Sequence, residues 1–251
     1  FKTITMITKT QNYKPVKNLL SKGSTNSKTA KNSLETFILY LAPERQNSKG
    51  VNLCPKASKG CAAACLYTAG RGKFTNVKKS RINKSEYYIS DKITFINQLS
   101  KEIVKIAAKS IKQNKKIAIR LNGTSDQDFI SIIKKYKNLD LLNDKQFKNL
   151  VFYDYTAILG KIKKYINTSY SLTLSRKEDN EQDILQALKL GGNVAAVFRD
   201  DLPTKYKGFD VVNGDTSDLE MLYNKNVILG LKAKGDAKKD KSGFVIDVNL
   251  N

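Results

Sequence analysis

Eight short runs of strand-forming residues recur along the chain, with helix-period stretches between several of them. The runs are TFILYLAP (36–43), KIAIRLNG (116–123), NLVFYDYT (149–156), SYSLTLSR (169–176), NVAAVFRD (193–200), FDVVNGD (209–215), VILGLKAK (227–234) and GFVIDVN (243–249). Each is rich in Val, Ile, Leu and aromatic residues and has the length of a buried strand. From about Lys84 to Lys112, Ile89, Ile93, Ile96, Leu99, Ile103, Ile106 and Ile111 recur mainly at three- and four-residue steps. That spacing puts them on one face and predicts a single long amphipathic helix. DFISIIKKYKNL and DILQALKLGG read as further helices.

Buried strands alternating with helices imply parallel βαβ units, because two parallel strands need a crossover between them. Eight such strands predict an α/β fold of the (β/α) TIM-like barrel type, closed or incomplete, since some late connections are short. Residues 1–33 are rich in Thr, Lys, Ser and Asn without a clear period and read as an irregular lead-in that wraps the domain. The expected organisation is one domain over 1–251, its barrel spanning 34–251.

Composition narrows the chemistry. The chain has 251 residues, 40% of them hydrophobic, enough for a full core. It shows neither an apolar run of membrane-spanning length nor a secretory leader. The expectation is a cytoplasmic protein with no membrane partner. The formal charge is +22. The lysines are spread over nearly every segment, so solvated helix faces are the preferred reading and a nucleic-acid surface is the less favoured one. Histidine is absent. That excludes Ser-His-Asp and Cys-His arrangements and leaves acid–base work to Cys, Asp, Glu, Lys or Tyr.

All three cysteines, Cys54, Cys61 and Cys65, fall in one short stretch. A disulfide would pair two and strand the third. The spacing C-x6-C-x3-C differs from the paired C-x2-C knuckles of structural zinc, which wants four protein ligands. Buried inert thiols and zinc with a carboxylate from elsewhere remain alternatives. A [4Fe-4S] cluster explains both the grouping and the missing fourth ligand, because three thiolates leave one iron open to a small molecule.

The polar ends of the strands supply the other candidates, since parallel barrels build their sites at the carboxyl ends. For proton transfer these are Lys232, Lys234, Asp154 and Tyr155. For substrate binding they are Asn122, Ser125, Asp126, Arg176, Arg199 and Asn213, together with Arg71 of the cysteine loop. An arginine suits a carboxylate through a bidentate contact.

The stretch LAPERQNSKGVNLCPKASKGCAAACLYTAGRG resembles a family of phage-encoded three-cysteine proteins sharing N-L-C-P-x-A-S-x-G-C-x-x-x-C-L-x-x-A-G-R-G. The resemblance implies an iron–sulfur family, a [4Fe-4S] cluster on Cys54, Cys61 and Cys65, and a cysteine desulfidase activity converting L-cysteine to sulfide, pyruvate and ammonia. The strand–helix order is similar to the barrel of radical S-adenosylmethionine enzymes, where a cysteine loop also follows the first strand. Those enzymes use C-x3-C-x2-C, and their Gly-rich motif is only echoed by NGTSD at 122–126. Three expectations follow: a non-redox lyase acting on a small thiol or amino acid, a radical S-adenosylmethionine-like enzyme, or a basic cluster-bearing nucleic-acid binder.

Overall fold

A computed structural model describes residues 12–25, 33–65, 67 and 69–248. All eight apolar runs contain strands: β2 (Glu35–Leu39), β3 (Ile117–Arg120), β4 (Leu150–Thr156), β5 (Ser171–Ser175), β6 (Asn193–Phe198), β8 (Phe209–Asn213), β9 (Ile228–Lys232) and β10 (Val245–Ile246). Two short strands went unpredicted, β1 (Leu20–Lys22) inside the lead-in and β7 (Lys205–Tyr206). The rest of the lead-in expectation, at 1–11 and 26–32, lies outside the described residues.

The strands form one sheet in the order β1-β2-β3-β4-β5-β6-β9-β8-β7, with β10 alongside the end of β6. Pairings from β2 to β8 are parallel, whereas β1 on β2 and β7 on β8 are antiparallel. Among the described residues the expected α/β fold has an open, mostly parallel sheet, and the closed form of the TIM-like barrel does not occur. Closure requires strand tilt and stagger to bring the last strand to the first. Here each edge instead carries a short antiparallel strand.

The single long helix is also corrected. α2 (Thr75–Ser90) and α3 (Lys92–Lys112) are separated by Asp91, whose carboxylate accepts a hydrogen bond from the Thr94 amide at 3.3 Å. An Asp that caps a new N-terminus competes with helix continuation. α3 buries Phe95, Ile96, Leu99, Ile103, Ile106 and Ala107, while Ile93 and Ile111 of the expected stripe are exposed. The other helices are α1 (Lys59–Ala63), α4 (Phe129–Lys137), α5 (Leu159–Tyr165), α6 (Glu181–Lys189) and α7 (Glu220–Tyr223).

α3 to α6 cover one face of the sheet. The main core joins Leu39, Ile119, Phe152, Leu174, Val194 and Phe198 of the strands to Phe95, Leu99, Phe129, Ile133, Ile162 and Ile184 of those helices. Full burial of each such side chain contributes about 1.5–3 kcal/mol. The opposite face carries a smaller cluster, Ala118, Tyr153 and Leu229 under Leu219 and Met221. The N-terminal segment is strapped to α2 and α3. Glu102 accepts from the amides of Leu19 and Leu20, Lys84 donates to the Leu19 carbonyl at 2.6 Å, and Tyr13 stacks on Tyr87. Among the described residues no helix is long and apolar enough to cross a membrane.

Candidate functional site

The cysteine loop leaves β2 and lies over the carboxyl ends of the parallel strands. Leu53 is buried, and its carbonyl accepts from the Asp126 amide at 2.8 Å and from Gln127 Nε2 at 3.0 Å. The Cys54 Sγ lies 3.6 Å from the Thr124 carbonyl, and the Thr124 hydroxyl donates to the Leu41 carbonyl at 2.5 Å. These contacts seat the first cysteine on the loop that follows β3.

α1 carries the second cysteine. Ser58 caps it, accepting from the Cys61 amide at 3.1 Å. Glu178, just beyond β5, accepts from the Ser58 hydroxyl at 2.7 Å and from the Gly60 amide at 2.8 Å. A β-carbon at Gly60 would collide with Ser242, Glu178 and Phe244, so the close approach requires glycine. Ala64, next to Cys65, packs with Ala233, Ala237 and Val245. The loop therefore sits against elements following β3, β5 and β9, at the rim where the sequence reading expected it.

The three thiols are part-buried. Burial pushes those of Cys54 and Cys61 up to about 12 and also raises that of Cys65, while Cys54 feels the charge of Cys65 and Cys61 that of both other cysteines. Glu44, Asp126 and Glu178 add negative charge around them. Thiols in such surroundings stay protonated unless a cation compensates, and a bound metal inverts this balance. Among the described residues no three His, Cys, Asp or Glu side chains are grouped to hold one metal ion. In donor type and count, three thiols match what a cluster with one open iron would take.

Two cationic side chains that the sequence reading missed stand beside the thiols. Lys177 is buried, pairs with Asp179 at 2.9 Å, and its charge favours the Cys61 thiolate. Arg81 of α2 lies near Cys65, its guanidinium 4.6 Å from the Tyr40 ring centroid and 5.5 Å from that of Tyr67. Its Nε and Nη1 are buried without a hydrogen-bond partner. Lys177 follows a strand end directly and was within reach of the rule that selected Arg176. Arg81 was not, because α2 mixes polar and apolar residues on its buried side, including Lys84, Ser85 and Glu86.

The predicted rim residues fall into separate groups. Asn122 and Asp154 tie strand ends together: Asp154 is fully buried and accepts from the amides of Leu121 (3.1 Å) and Asn122 (2.9 Å) and from the Tyr170 hydroxyl (2.8 Å). Burial raises its carboxyl to about 6. Asn122 in turn accepts from the Ser125 hydroxyl and the Gln127 amide, shaping the loop under Cys54. Asp126 accepts from the Thr156 hydroxyl, the Ala157 amide and Lys161, whose Nζ is 2.6 Å away. Tyr155 stacks under the Arg120 guanidinium, which pairs with Asp218 at 3.4 Å.

Arg176 and Arg199 hold the C-terminal segment: Arg176 donates to the carbonyls of Gly243 and Phe244, Arg199 to Asp247 and to the carbonyls of Lys238 and Asp240. Lys232 and Lys234 are half-exposed and pair with Asp201 and Asp215. Gly235, beside Lys234, lies against Ala69 of the cysteine loop. Asn213 is exposed and accepts from the Asp215 amide, and Arg71 is exposed on the turn at Gly70–Lys73. The structure thus brings Asn122, Ser125 and Asp126 to Cys54, and gives Arg176 and Arg199 structural partners.

Comparison with known proteins yields one family model, described as Gene product 88, that matches residues 8–248. No curated protein and no solved structure matches the chain.

Proposed function

This chain belongs to the Gene product 88 family, and we propose that it is an iron–sulfur enzyme, a non-redox lyase acting on a small amino-acid thiol such as L-cysteine. The observation that carries the reading is the placing of three part-buried thiols of one loop over the carboxyl ends of a parallel sheet. Cys54, Cys61 and Cys65 would hold a [4Fe-4S] cluster, which supplies an open Lewis-acid iron with affinity for soft sulfur. The order of strands, each beside its predecessor from β1 to β6, supports an incomplete-barrel framework for such a site.

The chain's own residues divide the remaining work. In the reaction the Cα–H and Cβ–S bonds of cysteine break. The sulfur leaves with the bonding pair, and water hydrolyses the resulting enamine to pyruvate and ammonia. Lys177 holds a positive charge beside Cys61, where it offsets the charge of the departing sulfide. Lys234, paired with Asp215 at 2.5 Å, is an ammonium at the edge of the cysteine loop, so in this reading the α-proton goes to a carboxylate beside the thiols, Glu44 or Asp126.

The test is anaerobic purification followed by iron and acid-labile sulfide analysis and incubation with L-cysteine. About four irons and four sulfides per chain are expected, with release of sulfide, pyruvate and ammonia. Stoichiometric zinc without sulfide overturns the cluster. Cleavage of S-adenosylmethionine to 5′-deoxyadenosine, with cysteine inert, replaces the lyase by the radical-type enzyme.

A further inference from the structure

We infer that Arg81, between the rings of Tyr40 and Tyr67 and next to Cys65, forms a carboxylate-binding subsite that selects amino-acid thiols over simple thiols. The inference rests on the reading above, in which the three thiols hold the working centre, and it names the part of the substrate recognised beside it.

Arg81 lies on α2, one turn before Ser85. Its Ser85 neighbour is engaged elsewhere, donating to the Arg81 carbonyl at 3.1 Å and accepting from the Ala42 amide at 2.8 Å. The helix is thereby pinned to the chain leaving β2, and Arg81 points at the cysteine loop with its backbone fixed. Tyr40 is fixed as well, because its ring fills the space where a Gly123 β-carbon would stand. An aromatic ring within about 6 Å of a guanidinium stabilises its charge, and both rings meet this condition at 4.6 and 5.5 Å. Rings attract the cation without accepting in-plane hydrogen bonds, so the N–H groups remain to be satisfied.

Two of those nitrogens, Nε and Nη1, are out of contact with solvent and have no acceptor. A buried charged donor left unpaired costs several kcal/mol or more, and native structures leave few such groups. The carboxylates of Glu44, Asp126 and Glu178 surround the thiols, yet none is bonded to Arg81. The missing partner is therefore an anion that arrives with a ligand. Nη1 shares the end-on fork of the guanidinium with Nη2, and that fork matches a carboxylate with two parallel charge-assisted hydrogen bonds. Tyr67, whose ring faces the Arg81 guanidinium at 5.5 Å, stands two residues after Cys65, so a ligand gripped there lies beside the thiol-bearing loop. A small α-amino acid with a thiol side chain carries both groups, a carboxylate for the guanidinium and a soft sulfur for the centre.

The experiment titrates anaerobically cluster-loaded protein with L-cysteine and with cysteamine, which keeps the amine and thiol and lacks the carboxylate, following the cluster absorption. Wild-type protein is expected to bind L-cysteine at least tenfold more tightly than cysteamine. Arg81→Gln abolishes that preference with cysteamine affinity and iron content unchanged. Arg81→Lys, which keeps the charge and loses the fork, retains part of it and guards against a folding defect in the glutamine variant. Equal affinities for the two thiols in wild-type protein overturn the subsite while leaving the open-iron reading intact, and so does a preference that survives in Arg81→Gln. A four-iron protein whose spectrum neither thiol moves overturns the open-iron reading, and the subsite with it.

Discussion

Glu178 accepts a hydrogen bond from the amide of Gly60 at 2.8 Å across 118 positions of sequence. With the Ser58 hydroxyl on its second oxygen, this carboxylate fastens the helix of Cys61 to the end of β5. A hydrogen bond to a charged acceptor contributes about 1.5–3 kcal/mol. Glu178→Ala is therefore expected to lower unfolding stability by about 2–4 kcal/mol and to reduce the iron retained after anaerobic gel filtration. Unchanged stability and iron content in this variant would show that α1 is held by other contacts.

Gly60→Ala tests the same junction by sterics. Its new methyl meets Phe244 and Glu178 at 2.8 Å, as well as Ser242. Phe244 Cβ is close to the backbone and cannot rotate away. Overpacking of this kind costs about 1–3 kcal/mol. Thermal melts should show a lower midpoint, and Ser242→Gly in the same chain should recover little of it, because the Phe244 contact remains.

Asp154 makes stability depend on pH in mild acid. Its carboxyl is pushed up to about 6, first by burial, against the opposing pull of Arg120 and the Tyr170 hydroxyl. A carboxyl whose folded pKa exceeds its unfolded value of about 3.9 takes up protons on folding. Its ionisation therefore removes stability as pH rises from about 4 to about 6, by up to about 3 kcal/mol. Urea denaturation of wild type and Asp154→Asn should give stabilities whose difference changes across that window and is constant above it. A difference constant from pH 4 to 7 would refute the assignment.

Lys84 gives the opposite slope in mild alkali. It is buried against the Leu19 carbonyl, and burial pulls its amine down to about 8 despite Glu102. Because the unfolded chain binds its proton up to about 10.4, stability from this group rises with pH between about 8 and 10.4. Lys84→Met should remove that rise and, by leaving the Leu19 carbonyl without its donor, cost about 1–3 kcal/mol at neutral pH. Chemical denaturation at pH 8 and pH 10 of both proteins checks the sign.

Much of this architecture is written locally. A strand buried on the sheet is a short apolar run whatever surrounds it, so all eight such runs contain strands. α4 and α6 carry their own helical period and were equally visible. The cysteines are grouped in the chain itself, and a loop that follows β2 at a parallel sheet's carboxyl end can only lie near the ends of neighbouring strands. Sequence by itself therefore determined the strand inventory, the parallel βαβ plan and the location of the thiols.

Tertiary structure decided the rest. Whether the sheet closes depends on tilt and stagger accumulated over all strands, which no single run encodes, and here β1 and β7 cap open edges. Asp91 splits the long helical period because its backbone leaves the helical region and its carboxylate caps the amide of Thr94. The grip of Glu178 on Gly60, and the placing of Arg81 between Tyr40 and Tyr67 beside Cys65, join residues from separate elements. Hydrophobic periodicity reports which face a residue turns inward. It carries no information on which distant partner it meets there, because that choice is made by the packing of the whole sheet and its helices.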